Sequence, residues 1–248
     1  KVFGGVINDQ EAKKLTQVFG SHFMPVLIDV RDEASVTQAA ALVNQQLAGK
    51  PLLALFNIAG VITNGPLSDL SAEQFMNVLS VNVIGIHNVT RAFLPMLSLR
   101  KGARIINMSS ASGSRTMPFT GAYSASKFGV EALSAAMRME FAPLGISVSV
   151  IAPGLINTPM ASKIQEELQR EPSLVIYREP LRRFLAQTVA SANKGIPIEH
   201  IVAVICGVLT DKKPLERYEI HHNYLRDVLI MRALPMRWRE RLVGQILG

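Results

Sequence analysis

Cysteine is almost absent from this chain, since Cys206 is the only one in 248 residues. A single cysteine excludes a disulfide framework and any metal site built on cysteine pairs, so a reducing, cytoplasmic setting is the simpler expectation. Cys206 ends the apolar run 201–206, which predicts a buried packing position for it. The adjacent His221 and His222 have no convincing ligand partners, so we expect no metal site.

Long apolar runs are also lacking: none could span a bilayer, and residues 1–5 do not resemble a signal peptide. The chain is 48% hydrophobic and only 18% charged, which is typical of a globular protein and not of a disordered one. It contains no repeat, linker or low-complexity tract. We therefore expect one domain over residues 1–248.

Acidic residues are fewer than basic ones, and the formal net charge is +7. Residues 178–248 hold twelve Lys and Arg against seven Asp and Glu, which accounts for five of these charges. Such a surface is either simply solvated or attracted to an acidic membrane surface or an anionic cofactor. The basic amphipathic helix predicted at about 234–247 could cover a pocket or make a peripheral membrane contact. We expect no nucleic-acid partner.

Apolar segments alternate with amphipathic ones over the first 151 residues. Ser71 suits the N-cap of a long helix, although Glu73 sits one position early for a capping box. Strands that are apolar throughout and separated by helices indicate a parallel sheet covered on both faces, a Rossmann-like, doubly wound α/β/α fold. The patterns predict strands at 2–6, 23–28, 52–56, 104–108, 147–151 and 217–221, and helices at 9–19, 33–47, 122–141 and 198–209.

Tyr123 and Lys127 lie four residues apart at the start of a predicted helix. Positions i and i+4 share one face of a helix, so the phenol and the ammonium can meet in one site. A phenol is a poor acid or base at neutral pH, but a nearby ammonium favours the phenolate and lowers its pKa. The pair could then exchange a proton with a carbonyl or alcohol oxygen. The same spacing also fits a Tyr and a Lys on an exposed helix face.

Two further polar residues belong to this chemistry. Ser110 follows the strand 104–108, and ligands of doubly wound sheets bind beyond the carboxyl ends of the strands. A hydroxyl there can donate to a developing oxyanion, whereas Ser109 better fits a strand-end cap. Asn82 lies inside the long predicted helix, where it either makes a buried hydrogen bond or holds a water for proton relay.

These residues belong to a set of short motifs that follow one another in the family's order along the chain. On the basis of these motifs, nearly the whole chain resembles the short-chain dehydrogenase/reductase family. The last part, with Arg217-Tyr218 and Leu234-Pro235, resembles its retinoid- and steroid-oxidising branch. The motifs are Asn-Ile-Ala-Gly at 57–60, Asn82 in its helix, the set Ser110, Tyr123 and Lys127, and Pro153-Gly154 leading to Thr158.

The resemblance implies a role for each matching residue. Tyr123 would be the general acid/base, Lys127 would lower its pKa and hold the nicotinamide ribose, Ser110 would orient the substrate oxygen, and Asn82 would complete a water-mediated proton path. Asp29 and the Val30 backbone would meet the adenine. The remaining residues would line the cofactor site: Asn57, Ala59 and Gly60 on the sheet and adenosine side, and Pro153, Gly154, Ile156 and Thr158 on the nicotinamide side.

One motif of the family is missing: no Gly-rich turn that would hold a pyrophosphate occurs in the sequence. Residues 1–6 match the family's second strand, so the central first strand is lacking. An incomplete sequence explains this better than a degenerate protein, because unpaired central strand edges are costly. Either way, we expect a break in the sheet between the strands at 2–6 and 52–56.

The resemblance leaves cofactor, substrate and assembly open. The cofactor is NAD or NADP, and residues 6–9 carry no cation for a 2′-phosphate, which leans to NAD. The segment 159–195 should be the substrate loop and its helices. Homodimers or homotetramers would form through the helices at about 71–97 and 122–143. Two functions are compatible with the sequence. The first is an enzyme acting on a hydrophobic secondary alcohol or ketone, and the second is a catalytically silent scaffold. The candidates for an apolar pocket are Leu155, Met160, Ile164, Leu168, Leu174 and Val175, with Met117, Pro118 and Phe119 on the opposite wall.

Overall fold

The structure is a computed structural model that describes residues 1–157, 171–221 and 234–245. Thr158, three of the pocket candidates (Met160, Ile164 and Leu168) and His222 lie outside the described residues. Six strands are present among those residues: β1 (Val2–Val6), β2 (Phe23–Leu27), β3 (Ala54–Asn57), β4 (Arg104–Met108), β5 (Ser147–Pro153) and β6 (Arg217–Ile220).

Eight α-helices accompany these strands in the part of the chain that the structure describes. A π-helical turn, Ser80–Ile84, joins the third and fourth helices into the long helix that the sequence predicted. The helices are α1 (Asp9–Phe19), α2 (Glu33–Leu47), α3 (Ala72–Leu79), α4 (Gly85–Ser98), α5 (Gly121–Phe141), α6 (Arg178–Asn193), α7 (Ile198–Thr210) and α8 (Met236–Gly244). None of them is long and apolar enough to cross a membrane.

All strand pairs are parallel, and they form two groups. β1 pairs with β2, and β3, β4, β5 and β6 follow one another in a four-stranded sheet. No described strand lies between β1 and β3. The break predicted between residues 2–6 and 52–56 is therefore confirmed.

Two apolar layers cover the strands and make the three-layer α/β/α arrangement. On one side, α2, α4 and α5 pack on both strand groups in a single core that includes Val26, Leu55 and Ile105. On the other side, α7 packs Ile201 and Val208 on β4 and β5. The sequence predicted this layering because its strand segments are apolar on both faces.

One local expectation was confirmed, that Ser71 is an N-cap, and a second was wrong, that Cys206 is buried. Ser71 does make a capping box, but its partner is Gln74, which occupies the third helical position and receives the Ser71 N–H, whereas Glu73 is one position early. Cys206 is exposed, because α7 turns Ile201 and Val208 toward the sheet and leaves Cys206 on another face. An apolar helix segment does not reveal from its composition which of its faces is covered.

A buried amide network connects the middle of the sheet to two helices. Asn57 Nδ2 donates to Asn107 Oδ1 at 2.8 Å and to Thr90 Oγ1 at 3.1 Å. Asn107 Nδ2 in turn donates to Ser134 Oγ at 2.9 Å, and the Asn107 side chain is fully buried. The network thus ties β3 and β4 to α4 and α5 below the edge where both strands end.

The Asn107→Ala variant should lose about 3 kcal/mol of unfolding free energy, because it removes two buried hydrogen bonds and leaves a small cavity. Urea denaturation of the purified protein measures this loss. Asn44→Ala, at an exposed position of α2, is the matched control and should change stability by less than about 0.5 kcal/mol. Equal effects of the two substitutions would contradict a stabilising role for the network.

Candidate active site

The carboxyl ends of four parallel strands meet at one edge of the larger sheet. β3 ends at Asn57 and β4 at Met108, and the last residue pair between these two strands is Asn57 with Asn107. β5 ends at Pro153 next to Ile220 of β6. Loops that follow these strands therefore converge on the same edge, where ligands bind in doubly wound sheets.

Lys127 brings helix α5 to this edge. Its side chain is only 4% exposed, and Nζ donates to the carbonyl oxygen of Met108 at the end of β4, at 2.9 Å. The same nitrogen lies 5.6 Å from the ring centroid of Tyr123. Burial lowers the pKa of Lys127 to about 8, and the carboxylate of Glu131 opposes this shift. The predicted meeting of Tyr123 and Lys127 at one site is thus observed in the structure.

Ser110 reaches the phenol of Tyr123. A hydrogen bond between the two side chains lowers the pKa of Tyr123, but burial of the phenol outweighs it, so the pKa is raised overall. This differs from the expectation that Lys127 lowers this pKa, since the Lys127 ammonium is directed to the Met108 carbonyl and not to the phenol oxygen. Ser110 Oγ also accepts from the Ser112 N–H at 3.2 Å, which fixes its turn.

Asn82 lies in the π-helical turn and is fully buried. Its amide pairs with the backbone of Val61, accepting the N–H at 2.8 Å and donating to the carbonyl at 2.9 Å. A third bond joins Asn82 Nδ2 to Ser126 Oγ at 2.9 Å. The side chain therefore ties the loop after β3 to α5, between Tyr123 and Lys127, which matches the buried hydrogen bond that the sequence left as one alternative.

Gly60 lies beside the lysine and has no side chain to fill the space next to its ammonium. A Cβ built on Gly60 would lie 3.4 Å from Asn82 Oδ1 and 3.8 Å from Lys127 Nζ. Ala59 is exposed on the same loop, whereas the side chain of Asn57 is buried in the amide network. The loop therefore has one buried supporting residue, and two residues that a ligand can approach.

Asp29 and Val30 follow β2, at some distance along the chain from Ser110, Tyr123 and Lys127. Three donors of Arg31 hold the Asp29 carboxylate, with Nη2 at 2.7 Å, and this pairing lowers the pKa of Asp29. The Val30 carbonyl accepts from Asn88 Nδ2 at 3.1 Å. Val30 also packs so closely on Gly85 that a Cβ there would approach it to 2.6 Å. Both predicted adenine-side residues are thus anchored to α4 or to a neighbouring side chain.

The Pro153-Gly154 stretch ends β5 and is held by two segments. The Gly154 N–H donates to the Ile220 carbonyl at 2.8 Å, and Ile156 forms a parallel bridge with Ile196. A Cβ on Gly154 would lie 3.4 Å from Nδ1 of His221. His221 thus borders this edge of the sheet, which the sequence did not predict.

An aromatic cluster follows the catalytic edge on the side of α6. Phe119 is buried with φ of +65°, a backbone conformation that is uncommon outside glycine and costs energy. Its ring meets Tyr177 edge-on at 6.1 Å and Phe184 at 5.8 Å. Met117 packs on this cluster, as the predicted apolar wall requires. Leu155, Leu174 and Val175, by contrast, are exposed in the structure.

The nicotinamide half of a dinucleotide site fits these residues. Lys127 has three N–H donors, and the absence of a side chain on Gly60 leaves space beside its ammonium. A turn that could hold the pyrophosphate does not occur in the described ranges 1–157, 171–221 and 234–245. No group of three or more His, Cys, Asp or Glu side chains within those ranges could hold a metal ion.

The structure also reveals residues around the site that sequence reasoning missed. Glu131, one helical turn after Lys127, faces Arg217 of β6, and Gly113, in the turn that Ser110 starts, lies against Glu131. The spacing of Tyr123, Lys127 and Glu131 was a signal that could have identified Glu131. Arg217 could not be found this way, because 86 residues separate it from its partner.

Comparisons with known proteins agree with this geometry. Retinol dehydrogenase 5 of Mus musculus is 37% identical over 163 residues, which cover 65% of this chain and 51% of that protein. An NADPH-dependent 3-dehydrocapnine reductase of Ornithobacterium rhinotracheale is 29% identical over 246 residues, 97% of this chain and 86% of its own length. The chain thus spans about half the length of the first of these relatives.

A solved structure shows the same fold. A short-chain dehydrogenase from Streptomyces avermitilis superimposes with a TM-score of 0.80 at 22% identity, over 99% of this chain and 89% of that one. The family model described as short chain dehydrogenase matches residues 6–169, about two thirds of the sequence. On these grounds, and on the arrangement of Ser110, Tyr123 and Lys127, the chain belongs to the short-chain dehydrogenase family.

Proposed function

We propose that this protein is an NAD(P)-dependent oxidoreductase that interconverts a hydrophobic secondary alcohol and its ketone. The observation that carries the proposal is the hydrogen bond between Ser110 and the Tyr123 phenol, beside the buried ammonium of Lys127. A Tyr and a Lys on an exposed helix face would show neither this burial nor the hydrogen bond to Ser110, which follows β4. These contacts support a shared role of Tyr123 and Lys127 over their placement on an exposed helix face.

The chemistry assigned to each group follows from its surroundings. Because the pKa of Tyr123 is raised, its phenol is protonated at neutral pH and can donate a proton to a carbonyl oxygen. Ser110 donates to the same oxygen and orients it. Lys127 supplies a positive charge that stabilises the phenolate left behind. The nicotinamide cofactor, when bound, supplies or accepts the hydride.

The cofactor residues are part of the same proposal. We assign the ribose side to Lys127, the space beside it to Gly60, and the carboxamide side to Ile156 together with Pro153, Gly154 and Thr158. Asp29 and Val30 would meet the adenine, and Ala59 and Asn57 would border or support that side. Asn82 would complete the proton path through a water. A lean to NAD rests on the lack of a cation at residues 6–9, whereas the 3-dehydrocapnine reductase uses NADPH.

The aromatic cluster supports a hydrophobic substrate. Phe119 sits four residues before Tyr123 with a strained backbone, and strain of this kind persists where surrounding contacts over-determine it. Phe184 and Tyr177 extend the apolar wall on the side of the predicted substrate segment 159–195. A relative named retinol dehydrogenase fits the same substrate class, a lipid-, steroid- or retinoid-like alcohol or ketone.

The second candidate is a catalytically silent scaffold that keeps the fold. A protein that binds no dinucleotide would still fold around the amide network and the apolar core. Turnover with a ketone panel separates the two functions.

Tyr123→Phe should lower kcat/KM by about 10²–10⁴-fold, because the substitution removes the proton donor and little else. The measurement is turnover of a panel of hydrophobic ketones with NADH and with NADPH. Tyr218→Phe is the matched control, since it removes a hydroxyl that only accepts the Leu215 N–H. Activity that survives Tyr123→Phe would refute the mechanism, and no turnover on any pair would favour the scaffold. A much higher kcat/KM with NADPH would reverse the lean to NAD.

Lys127→Met should stabilise the fold by about 1–3 kcal/mol at pH 7 while abolishing turnover. Folding lowers the pKa of Lys127 from 10.5 to about 8, so burying the cation costs stability below pH 8, and that cost disappears as the pH rises toward 10.5. Urea denaturation at pH 7 and pH 10 measures this. The gain of the variant should shrink at pH 10, and a variant less stable than the wild type at pH 7 would contradict the expected cost.

The assembly and location of the protein stay proposals. We propose a homodimer or homotetramer through α3, α4 and α5. Support comes from exposed apolar side chains on these helices and on the π-helical turn between α3 and α4, namely Met76, Ile84, Phe128 and Met139. A peripheral membrane contact would use α8, whose Trp238 is exposed beside Arg237 and Arg241. The cytoplasm remains the expected compartment.

Phe128→Lys on α5 should convert the assembly to monomers, because it places a charge within the proposed apolar interface. Sedimentation velocity at several protein concentrations measures the change. Val202→Lys, at an exposed position of α7, is the control and should leave the assembly intact. An oligomer that persists in Phe128→Lys but not in Val202→Lys would place the interface on the other layer.

A further inference from the structure

Helix α5 carries a third ionisable side chain in line with the two catalytic ones. Tyr123, Lys127 and Glu131 occupy positions i, i+4 and i+8. Residues four apart on a helix lie one above the other, so Glu131 continues the row on the side of Lys127 away from the phenol. Its carboxylate is close enough to oppose the lowering of the Lys127 pKa.

Arg217 holds this carboxylate from the last strand. Its Nε donates to both Oε1 and Oε2 of Glu131 at 3.2 Å, and each side chain is 21% exposed. Arg217 also pairs with Glu219, whose side chain is only 8% exposed. An ion pair this shielded from water is stronger than one on the open surface, and its geometry limits how far the carboxylate can move.

The turn that carries Ser110 rests on the same carboxylate. A Cβ built on Gly113 would lie 3.0 Å from Glu131 Oε1, 3.0 Å from the carbonyl oxygen of Lys127 and 2.6 Å from Ser109 Oγ. The backbone of Gly113 therefore fits between α5 and Glu131. Ser110 starts this turn, so the position of its hydroxyl depends on the packing of Gly113 against Glu131 and α5.

The charges facing this cluster come from a few elements. Lys127 and Glu131 belong to α5, Arg217 and Glu219 to β6, and the turn Ala111–Gly113 contributes no charge. The four side chains are two cations and two anions. Removing either member of the central pair therefore shifts the field at Lys127 in a defined direction.

We propose that Glu131, held by Arg217, is a positioning residue that keeps Lys127 in its charged form and seats the turn of Ser110. The carboxylate offsets part of the cost of burying the ammonium. Arg217 orients the carboxylate through the bifurcated contact of its Nε, and its own positive charge reduces the net negative charge that Lys127 experiences. For catalysis, this inference rests on the proposed function. Its effect on the titration of Lys127 does not require turnover.

The test follows the titration of Lys127 in the full chain by the ¹³Cε chemical shift of labelled lysine, with the signal assigned by its loss in Lys127→Met. Glu131→Gln should lower the titration midpoint by about 0.5–1 pH unit, because the substitution removes a negative charge that favours the ammonium. Arg217→Met should raise the midpoint, because a nearby cation is lost while the carboxylate remains. Glu140→Gln, exposed near the end of the same helix, is the control and should leave the midpoint unchanged.

A purely structural tie between α5 and β6 would give a different pattern. Glu131→Gln and Arg217→Met would both lose stability, but they would not shift the Lys127 midpoint in opposite directions. That outcome, in variants shown to be folded by circular dichroism, would overturn the proposal. In an active preparation the alkaline limb of kcat/KM should shift in the same direction as the midpoint. Should Tyr123→Phe retain activity, the proposed function fails, yet the titration result still decides the role of Glu131.

Discussion

The site depends on the burial of one ammonium group at the end of a parallel strand. Lys127 is nearly inaccessible to water, and its bond to the Met108 carbonyl fixes helix α5 against the end of β4. A buried cation lowers its own pKa and weakens the fold unless neighbouring groups compensate. Every other residue of the site is placed relative to this contact, because Tyr123 precedes Lys127 on the same helix and Ser110 follows the same strand.

A neighbouring carboxylate offsets part of the cost of burying the Lys127 ammonium. Glu131 contributes a negative charge that Arg217 keeps in place, and Gly113 lets the turn of Ser110 lie against both. Below the edge, the Asn57–Asn107 amide pair joins the strands to the helices without leaving a buried polar group unpaired. The polar site is therefore supported by groups that lie behind it and that a substrate would not touch.

The candidate site residues lie at one of two separate groups of strands. Ser110, Tyr123 and Lys127 lie around β4 and α5, and the described strands form two separate groups, β1 with β2 and β3 through β6. The core still bridges the division, since Val26 of β2 and Leu55 of β3 belong to one apolar cluster with α2 and α4. The helical layer, and not strand pairing, joins the two strand groups in the described part of the molecule.

The sequence by itself determined the order of strands and helices, the division of the sheet and the candidate residues Ser110, Tyr123 and Lys127. These follow from local patterns, such as apolar strands and i, i+4 spacing, that neighbouring residues specify together. Only the tertiary structure decided that Lys127 is directed at Met108, that the pKa of Tyr123 rises, and that Arg217 holds Glu131. Burial and contacts across 86 residues come from packing, which no local pattern records.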